Sequence, residues 1–218
     1  MLLPEGGGSA DPLTSTSFEG AVADWSADGQ SILAHQATQG QLGAVELRIV
    51  LLPLSAAPNA ESRARLVTSS RSQGIYEGIY EERLSPNGRW IVFEAVKGGH
   101  APGGATNATL CVVPVSGGPW IRVTDGQFWD DKPRWSPDGK TIFFVSSRTG
   151  FLNVWGIRFH PEQGRPQGQP FQVTSFGNPK LMVADDMSWQ SMSLSQDRLV
   201  LSISETSGSI WALHDVDK

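Results

Sequence analysis

The chain has 218 residues, a formal net charge of −5 and 18% charged residues. This acidic balance excludes nucleic-acid binding through phosphate neutralisation, which needs a basic surface. With 39% hydrophobic residues, 24 glycines and 14 prolines, the composition is typical of a folded, turn-rich protein rather than a disordered or helical one. The single cysteine, Cys111, excludes an internal disulfide, and its place in an apolar run predicts a small buried hydrophobe.

No segment approaches the roughly 18 to 20 consecutive apolar residues of a membrane helix. The longest apolar run, residues 49–54, is short and contains Pro53. The first residues have neither the basic region nor the apolar stretch of a secretory signal. As written, the chain is expected in the cytoplasm without membrane insertion, and a periplasmic location is the alternative if it belongs to a longer parent chain.

In chain order, two sequence markers recur four times. The first is a turn motif whose aligned serines are spaced 59, 51 and 59 residues apart, at Ser26, Ser85, Ser136 and Ser195. The second is a Leu/Val-Thr pair that precedes each turn motif, within residues 12–15, 65–69, 121–125 and 171–175. Because both markers keep step, they indicate an internal repeat of about 50 residues, a period typical of propeller blades.

The turn motif itself predicts a hairpin. Pro137, Asp138 and Gly139 supply in succession a fixed φ, a side chain that bonds nearby backbone and a residue that tolerates positive φ. A third β-rich run follows each hairpin, at residues 45–54, 109–115, 153–159 and 209–213. The Leu/Val-Thr marker completes four antiparallel strands, and the Trp or Leu before each turn is expected to pack between sheets with most of the eight tryptophans.

The repeat therefore predicts an all-β fold: a β-propeller of about four blades, each with four antiparallel strands, in a single domain over residues 1–218. The predicted repeat units are 17–69, 70–125, 126–175 and 176–218, with a partial blade strand in residues 1–16. The last unit stops after its third run, so the strand in 1–16 is expected to pair with residues 210–213 and cover an edge that would otherwise invite aggregation.

Residues 132–148, KPRWSPDGKTIFFVSSR, together with the following NVW at 153–155, closely resemble the WD-like repeat of the TolB-like propeller family. The other copies depart from it: Asn87 replaces the turn Asp, Ala27 replaces the turn Pro, and the copy around Ser195 lacks the turn glycine. Such repeats are found in the C-terminal propellers of bacterial sensor and regulatory proteins and in the propellers of prolyl-oligopeptidase-type enzymes. TolB-like rings usually have six or more blades, so the resemblance implies an incomplete ring or a fragment of a larger propeller.

The sequence offers no reacting groups in a known catalytic arrangement. It has no GxSxG nucleophile elbow and no P-loop or dinucleotide fingerprint, and its four histidines fall in different repeats. A non-catalytic module that binds a protein or peptide, as the C-terminal part of a larger bacterial regulatory protein, is therefore favoured. The alternative is the gating propeller of a peptidase- or lyase-type enzyme whose catalytic domain is absent. No cofactor and no bound metal are expected, and self-association is expected if the ring is open.

Paired acids supply the candidate binding residues. They precede the turn motifs in three repeats, and lie at Glu81, Glu82, Asp130, Asp131, Asp185 and Asp186. If these positions are equivalent, the carboxylates gather at one exposed mouth of the central channel and attract a basic peptide or a divalent cation. The alternative is that they are ordinary solvated loop acids.

Overall fold

The computed structural model describes residues 12–39, 45–56, 59–74, 78–97, 107–178, 180–184, 192–205 and 207–208. Their regular elements are β-strands and short 3₁₀ turns, which confirms the all-β prediction. In this part of the chain, no helix is both long and apolar enough to cross a membrane.

Twelve strands form three four-stranded antiparallel sheets, called here blades 1, 2 and 3. Blade 1 comprises β1 (Gly20–Trp25), β2 (Ser31–Gln39), β3 (Val45–Pro53) and β4 (Arg65–Ser69). Blade 2 comprises β5 (Gly78–Leu84), β6 (Trp90–Val96), β7 (Ala108–Pro114) and β8 (Ile121–Arg122). Blade 3 comprises β9 (Asp130–Trp135), β10 (Thr141–Ser146), β11 (Asn153–His160) and β12 (Arg165–Gln172). Strands pair in chain order, as a four-strand repeat predicts.

The turn motif joins the first two strands of each blade by one set of contacts. In blade 3 the Ser136 hydroxyl donates to Asp138 Oδ1 at 2.6 Å and accepts from the Thr141 amide at 2.9 Å. Gly139 has a φ of 67°, in the left-handed region that a Cβ disfavours. The corresponding bonds recur at Ser26 and Ser85, so the predicted hairpins are confirmed.

Between the blades lie the main apolar clusters. Leu33 and Ile49 of blade 1 pack with Ile91 and Phe93 of blade 2. A second cluster fills the space between blades 2 and 3, and contains Trp90, Val92, Leu110, Val112, Trp135, Ile142, Phe144 and Phe159. Cys111 is buried in the first cluster as predicted, and burial raises the pKa of its thiol to about 12.

The Trp or Leu before the turn behaves as predicted in two blades and not in the other. Leu84 and Trp135 are buried between blades, whereas Trp25 is 51% exposed. The prediction for Trp25 was wrong because its side of blade 1 has no other described sheet packed against it. Elsewhere, Trp90 is buried, and Trp120 and Trp155 pack against core clusters while remaining partly exposed.

In the fourth unit, the described residues form two separate two-stranded ladders and not the predicted four-stranded sheet. The ladders pair β13 (Leu181–Val183) with β16 (Ile203–Glu205) and β14 (Met192–Leu194) with β15 (Leu199–Leu201). Its hairpin lacks the turn glycine and closes two residues earlier than its counterparts, through a bond from the Ser195 amide to the Arg198 carbonyl at 2.8 Å. The third run, 209–213, lies outside the described residues.

The described part of the chain's start, residues 12–16, does not form the predicted strand. Instead, Leu13 is buried against blade 1, and its carbonyl accepts a bond from the Ala60 amide at 3.0 Å. The rest of the predicted closing pair, residues 1–11 and 210–213, lies outside the described residues.

Candidate functional site

The first strands of successive units lie side by side, so the N-terminal edge of each sheet faces a common axis. At this axis is a cavity of about 280 Å³, the axial cavity. All four units contribute to its lining, which consists of Asp24, Arg83, Leu84, Pro86, Arg134, Trp135, Ser193 and Leu194.

One repeat position supplies the polar lining of the axial cavity. Asp24, Arg83, Arg134 and Ser193 each lie two residues before the turn serine of their unit. Because the repeats place equivalent residues at equivalent distances from the axis, four side chains of three kinds, one Asp, two Arg and one Ser, line the same cavity. The four units therefore share one backbone scaffold at the cavity but contribute side chains of different chemistry.

Hydrogen bonds to neighbouring units hold the two guanidinium groups in place. Arg83 Nη1 donates to the Ala23 carbonyl of blade 1 at 3.0 Å. Arg134 Nε donates to the Met192 carbonyl of the fourth unit at 3.0 Å, and its Nη1 donates to Glu81 Oε2 at 3.2 Å. Each arginine thus connects its own blade to a neighbouring unit, and such fixed donors suit recognition of carboxylate oxygens.

Beside the cavity, the first strands of blades 2 and 3 carry matching β-bulges. Glu81 and Lys132 each lie four residues before the turn serine and have positive φ angles of 56° and 52°. Positive φ is uncommon for residues other than glycine and costs about 1 to 3 kcal/mol where it is held. The two bulges shift the strand register next to the axis and redirect the side chains that follow, Arg83 and Arg134 among them.

Four of the six predicted acids lie on these same strands, and they are buried. Glu81 and Glu82 belong to β5, and Asp130 and Asp131 belong to β9. The predicted exposure at a loop was therefore wrong for these four residues. Their equivalence was also wrong, because Glu81 lies four residues before its turn serine and Asp130 lies six. Asp185 and Asp186 lie outside the described residues.

Each of these four buried acids has a cationic or protonatable partner, which explains why its burial is tolerated. Asp130 accepts two bonds from Arg148 Nη2, at 2.8 and 2.9 Å. The other pairs are Asp131 with Lys132 at 3.1 Å, Glu82 with His35 at 2.8 Å, and Glu81 with both Arg134 at 3.2 Å and Arg83 at 3.4 Å. These carboxylates support the walls of the cavity rather than forming an unneutralised channel mouth.

Burial dominates the titration of the groups near the axis. It raises the pKa of Glu81, although Arg134 acts in the opposite direction. It also lowers the pKa of Arg134, with Arg83 acting in the same direction. Glu94 on β6 is almost fully buried, and burial together with Asp131 and Glu81 holds its pKa well above the usual range. The surroundings of the cavity are therefore poorly hydrated, which strengthens electrostatic contacts made there.

The arrangement is suited to binding. Within the described part of the chain, no three His, Cys, Asp or Glu side chains are grouped so as to hold a metal ion. Sequence reasoning missed Arg83, Arg134 and Ser193 as lining residues. Their common offset from the turn serine was available in the sequence and would have found them.

No family model matches the chain. A segment of 44 residues, 20% of the chain, is 43% identical to the uncharacterized protein Atu1656 of Agrobacterium fabrum and covers 15% of that protein.

Two solved structures share most of the described architecture. TolB from Acinetobacter baumannii superposes with a TM-score of 0.55 at 18% identity, over 88% of this chain and 42% of that one. A puromycin hydrolase superposes with a TM-score of 0.62 at 19% identity, over 92% of this chain and 32% of that one. The chain therefore has a TolB-like β-propeller fold and spans less than half the length of either protein.

Proposed function

We propose that the chain is a non-catalytic binding module, the C-terminal part of a larger bacterial regulatory protein, whose axial cavity receives a segment of a protein or peptide. The observation that carries this proposal is the convergence of Asp24, Arg83, Arg134 and Ser193 on one cavity from one repeat position. A rigid scaffold with differing side chains at its axis provides selectivity without requiring a reacting group.

The lining favours a ligand that carries a carboxylate. Two guanidinium groups and one carboxylate, those of Arg83, Arg134 and Asp24, are the charged groups at the cavity wall. Trp135 and Leu84 add an apolar surface beside them. An acidic side chain next to an apolar one therefore fits this cavity better than the basic peptide or divalent cation expected from the sequence, because the acids named for that role support the wall from behind.

A peptide titration tests this proposal. Acidic and Lys/Arg-rich peptide libraries are titrated at low salt against the wild type and Arg83→Gln, with Arg89→Gln as a matched control. Arg89 is half-exposed and pairs with Glu162 away from the cavity. We expect salt-sensitive binding of acidic peptides that Arg83→Gln weakens about tenfold or more and Arg89→Gln leaves unchanged. Preference for basic peptides, or equal binding by the two variants, would contradict the proposal.

The second candidate is the gating propeller of a peptidase- or lyase-type enzyme. It is favoured by the fold shared with puromycin hydrolase. In that role the axis would act as an entrance to a separate catalytic domain, and passage would require weak contacts with many peptides. Selective binding of one class of acidic peptide supports the binding module, whereas equal weak affinity for peptides of all charges supports the gate.

A further inference from the structure

The side of blade 1 that faces away from blade 2, called here the outward face, has the construction of a blade-to-blade interface. Directly opposite residues of paired strands share a sheet face. Trp25 is opposite Ile32, Val22 is opposite Ala34, and Leu66 is opposite Val50. Ile32, Ala34 and Val50 form the apolar centre of the outward face.

In the other blades the equivalent face is covered by the preceding blade. Leu84 and Trp135, the counterparts of Trp25, are buried there. Trp135 also donates from Nε1 to the Arg83 carbonyl at 3.1 Å, which ties the first strand of blade 3 to that of blade 2. The repeat therefore specifies what belongs on the outward face: a sheet whose first strand offers a backbone carbonyl two residues before its turn serine.

Among the described residues, those that cover the outward face lie at its centre. Leu13 and Ala60 pack there and complete a small apolar cluster. At its rims, Val22 is 61% exposed, Trp25 is 51% exposed and Leu66 is 53% exposed. These three exposed apolar side chains on one sheet face form a patch of the kind that marks a protein interface.

The fourth unit of the same chain presents the complementary surface. Leu199 and Leu201 of β15 pack toward blade 3. Val200 lies between them and points to the opposite side because side chains alternate along a strand. It is 63% exposed. In its unit, the residue two before the turn serine is Ser193, which corresponds to Arg83 in blade 2.

We infer that the outward face binds the fourth unit of a second copy of this chain, head to tail. The Val200 side of one copy covers Val22, Trp25 and Leu66 of the other, and Trp25 Nε1 donates to the Ser193 carbonyl of the second copy as Trp135 does to Arg83. The two surfaces differ, so the contact is heterologous. If the rotation between the copies closes, two copies form a ring.

The mass of the chain in solution, measured by light scattering between about 1 and 100 μM, tests this inference. Val22→Glu is compared with Val45→Glu, a matched control at 59% exposure on the other side of blade 1. We expect the wild type and Val45→Glu to be dimers and Val22→Glu to be a folded monomer that still unfolds cooperatively. A monomeric wild type at the highest concentration, or equal disruption by both variants, would overturn the inference.

Mixing two variants tests the head-to-tail arrangement. Val200→Glu blocks the other surface, so alone it is also expected to be a monomer. An equimolar mixture of Val22→Glu and Val200→Glu retains one intact interface per pair and should recover a heterodimer. If the mixture stays monomeric while the wild type is a dimer, the copies associate through another surface and the inference fails.

Discussion

The junction between blades 2 and 3 and the outward face of blade 1 use the same repeat positions to different effect. At the junction, Trp135 is 7% exposed and contacts Phe159 edge-to-face at 5.0 Å. On the outward face, Trp25 has lost that environment although its turn is built with the same bonds. The difference shows that the turn motif determines the hairpin locally. Whether the residue before the turn is buried depends instead on whether another sheet packs against it.

The largest loss of stability is expected when Trp135, the tryptophan at the junction, is removed. Trp135→Ala should lower the free energy of unfolding by about 4 kcal/mol, because it leaves a large cavity between blades 2 and 3. Trp25→Ala should lower it by less than about 1 kcal/mol at concentrations where the chain is monomeric, since little apolar area is exposed anew. Urea unfolding followed by circular dichroism measures both values. Equal losses would refute the distinction between the two regions.

The next effect concerns the buried ion pair of blade 3. Arg148 contacts Asp130 and lies over the rings of Phe128, Phe144 and Trp155 at 5.1 to 5.4 Å. Asp130→Asn leaves this guanidinium without its counter-charge and should cost about 3 kcal/mol. Arg89→Gln breaks an exposed ion pair with Glu162 and should cost less than about 0.5 kcal/mol. An Asp130→Asn variant as stable as the wild type would mean that Asp130 is an ordinary solvated acid.

A smaller loss of stability is expected for a substitution in one of the three regular hairpins, compared here with a substitution in the hairpin of the fourth unit. Gly139→Ala places a Cβ at a φ of 67° and should cost about 1 kcal/mol. Arg198→Ala in the glycine-free hairpin should change the stability by less than about 0.5 kcal/mol, because the Arg198 side chain is exposed. Thermal melts of both variants provide the comparison. A larger loss of stability for Arg198→Ala than for Gly139→Ala would mean that the hairpin of the fourth unit is the more sensitive to substitution.

The last substitution, Glu94→Gln, is expected to raise the free energy of unfolding rather than lower it, and the gain depends on pH. Burial holds the pKa of Glu94 in the folded state well above the usual value for a glutamate, so the folded chain binds this proton more tightly than the unfolded chain. Stability supplied by that proton is complete below the unfolded pKa and is lost as the pH rises toward the folded pKa. Glu94→Gln, which mimics the protonated acid, should therefore match the wild type near pH 4 and become the more stable protein as the pH rises.

Unfolding of wild type and Glu94→Gln across about pH 4 to about pH 8 measures this difference directly. Glu162→Gln is the control, since Glu162 is exposed and should show no such divergence. A constant difference between Glu94→Gln and the wild type at every pH would mean that Glu94 titrates normally.

The sequence was sufficient for the features that depend on local chemistry. Asp138 and Gly139 determine a turn by bonds within five residues, so the hairpins and the strand order followed from the repeat. The sequence could not show that Asp130 and Glu82 are buried, because their partners Arg148 and His35 are distant in sequence and meet them only in the folded sheets. It also could not place Trp25, whose exposure depends on what lies beside blade 1.

Part of the candidate site could be predicted from the sequence. The offset of Arg83 and Arg134 from their turn serines is visible in the alignment of the repeats. What the alignment could not show is the bulge at Glu81 and Lys132, since neither residue type signals a positive φ. That bulge shifts the register before each arginine, so counting strand residues alone would have assigned the side chains to the wrong face.

Blocking the axial cavity tests its role as the binding site most directly. Ser193 is an exposed lining residue, and Ser62 is an exposed serine away from the cavity. A cysteine is introduced at each position in turn and labelled with a bulky maleimide, while Cys111 stays unlabelled because it is buried and burial raises the pKa of its thiol to about 12. We predict that the label at position 193 abolishes binding of the acidic peptides and that the label at position 62 does not. Undiminished binding with position 193 labelled would contradict the account.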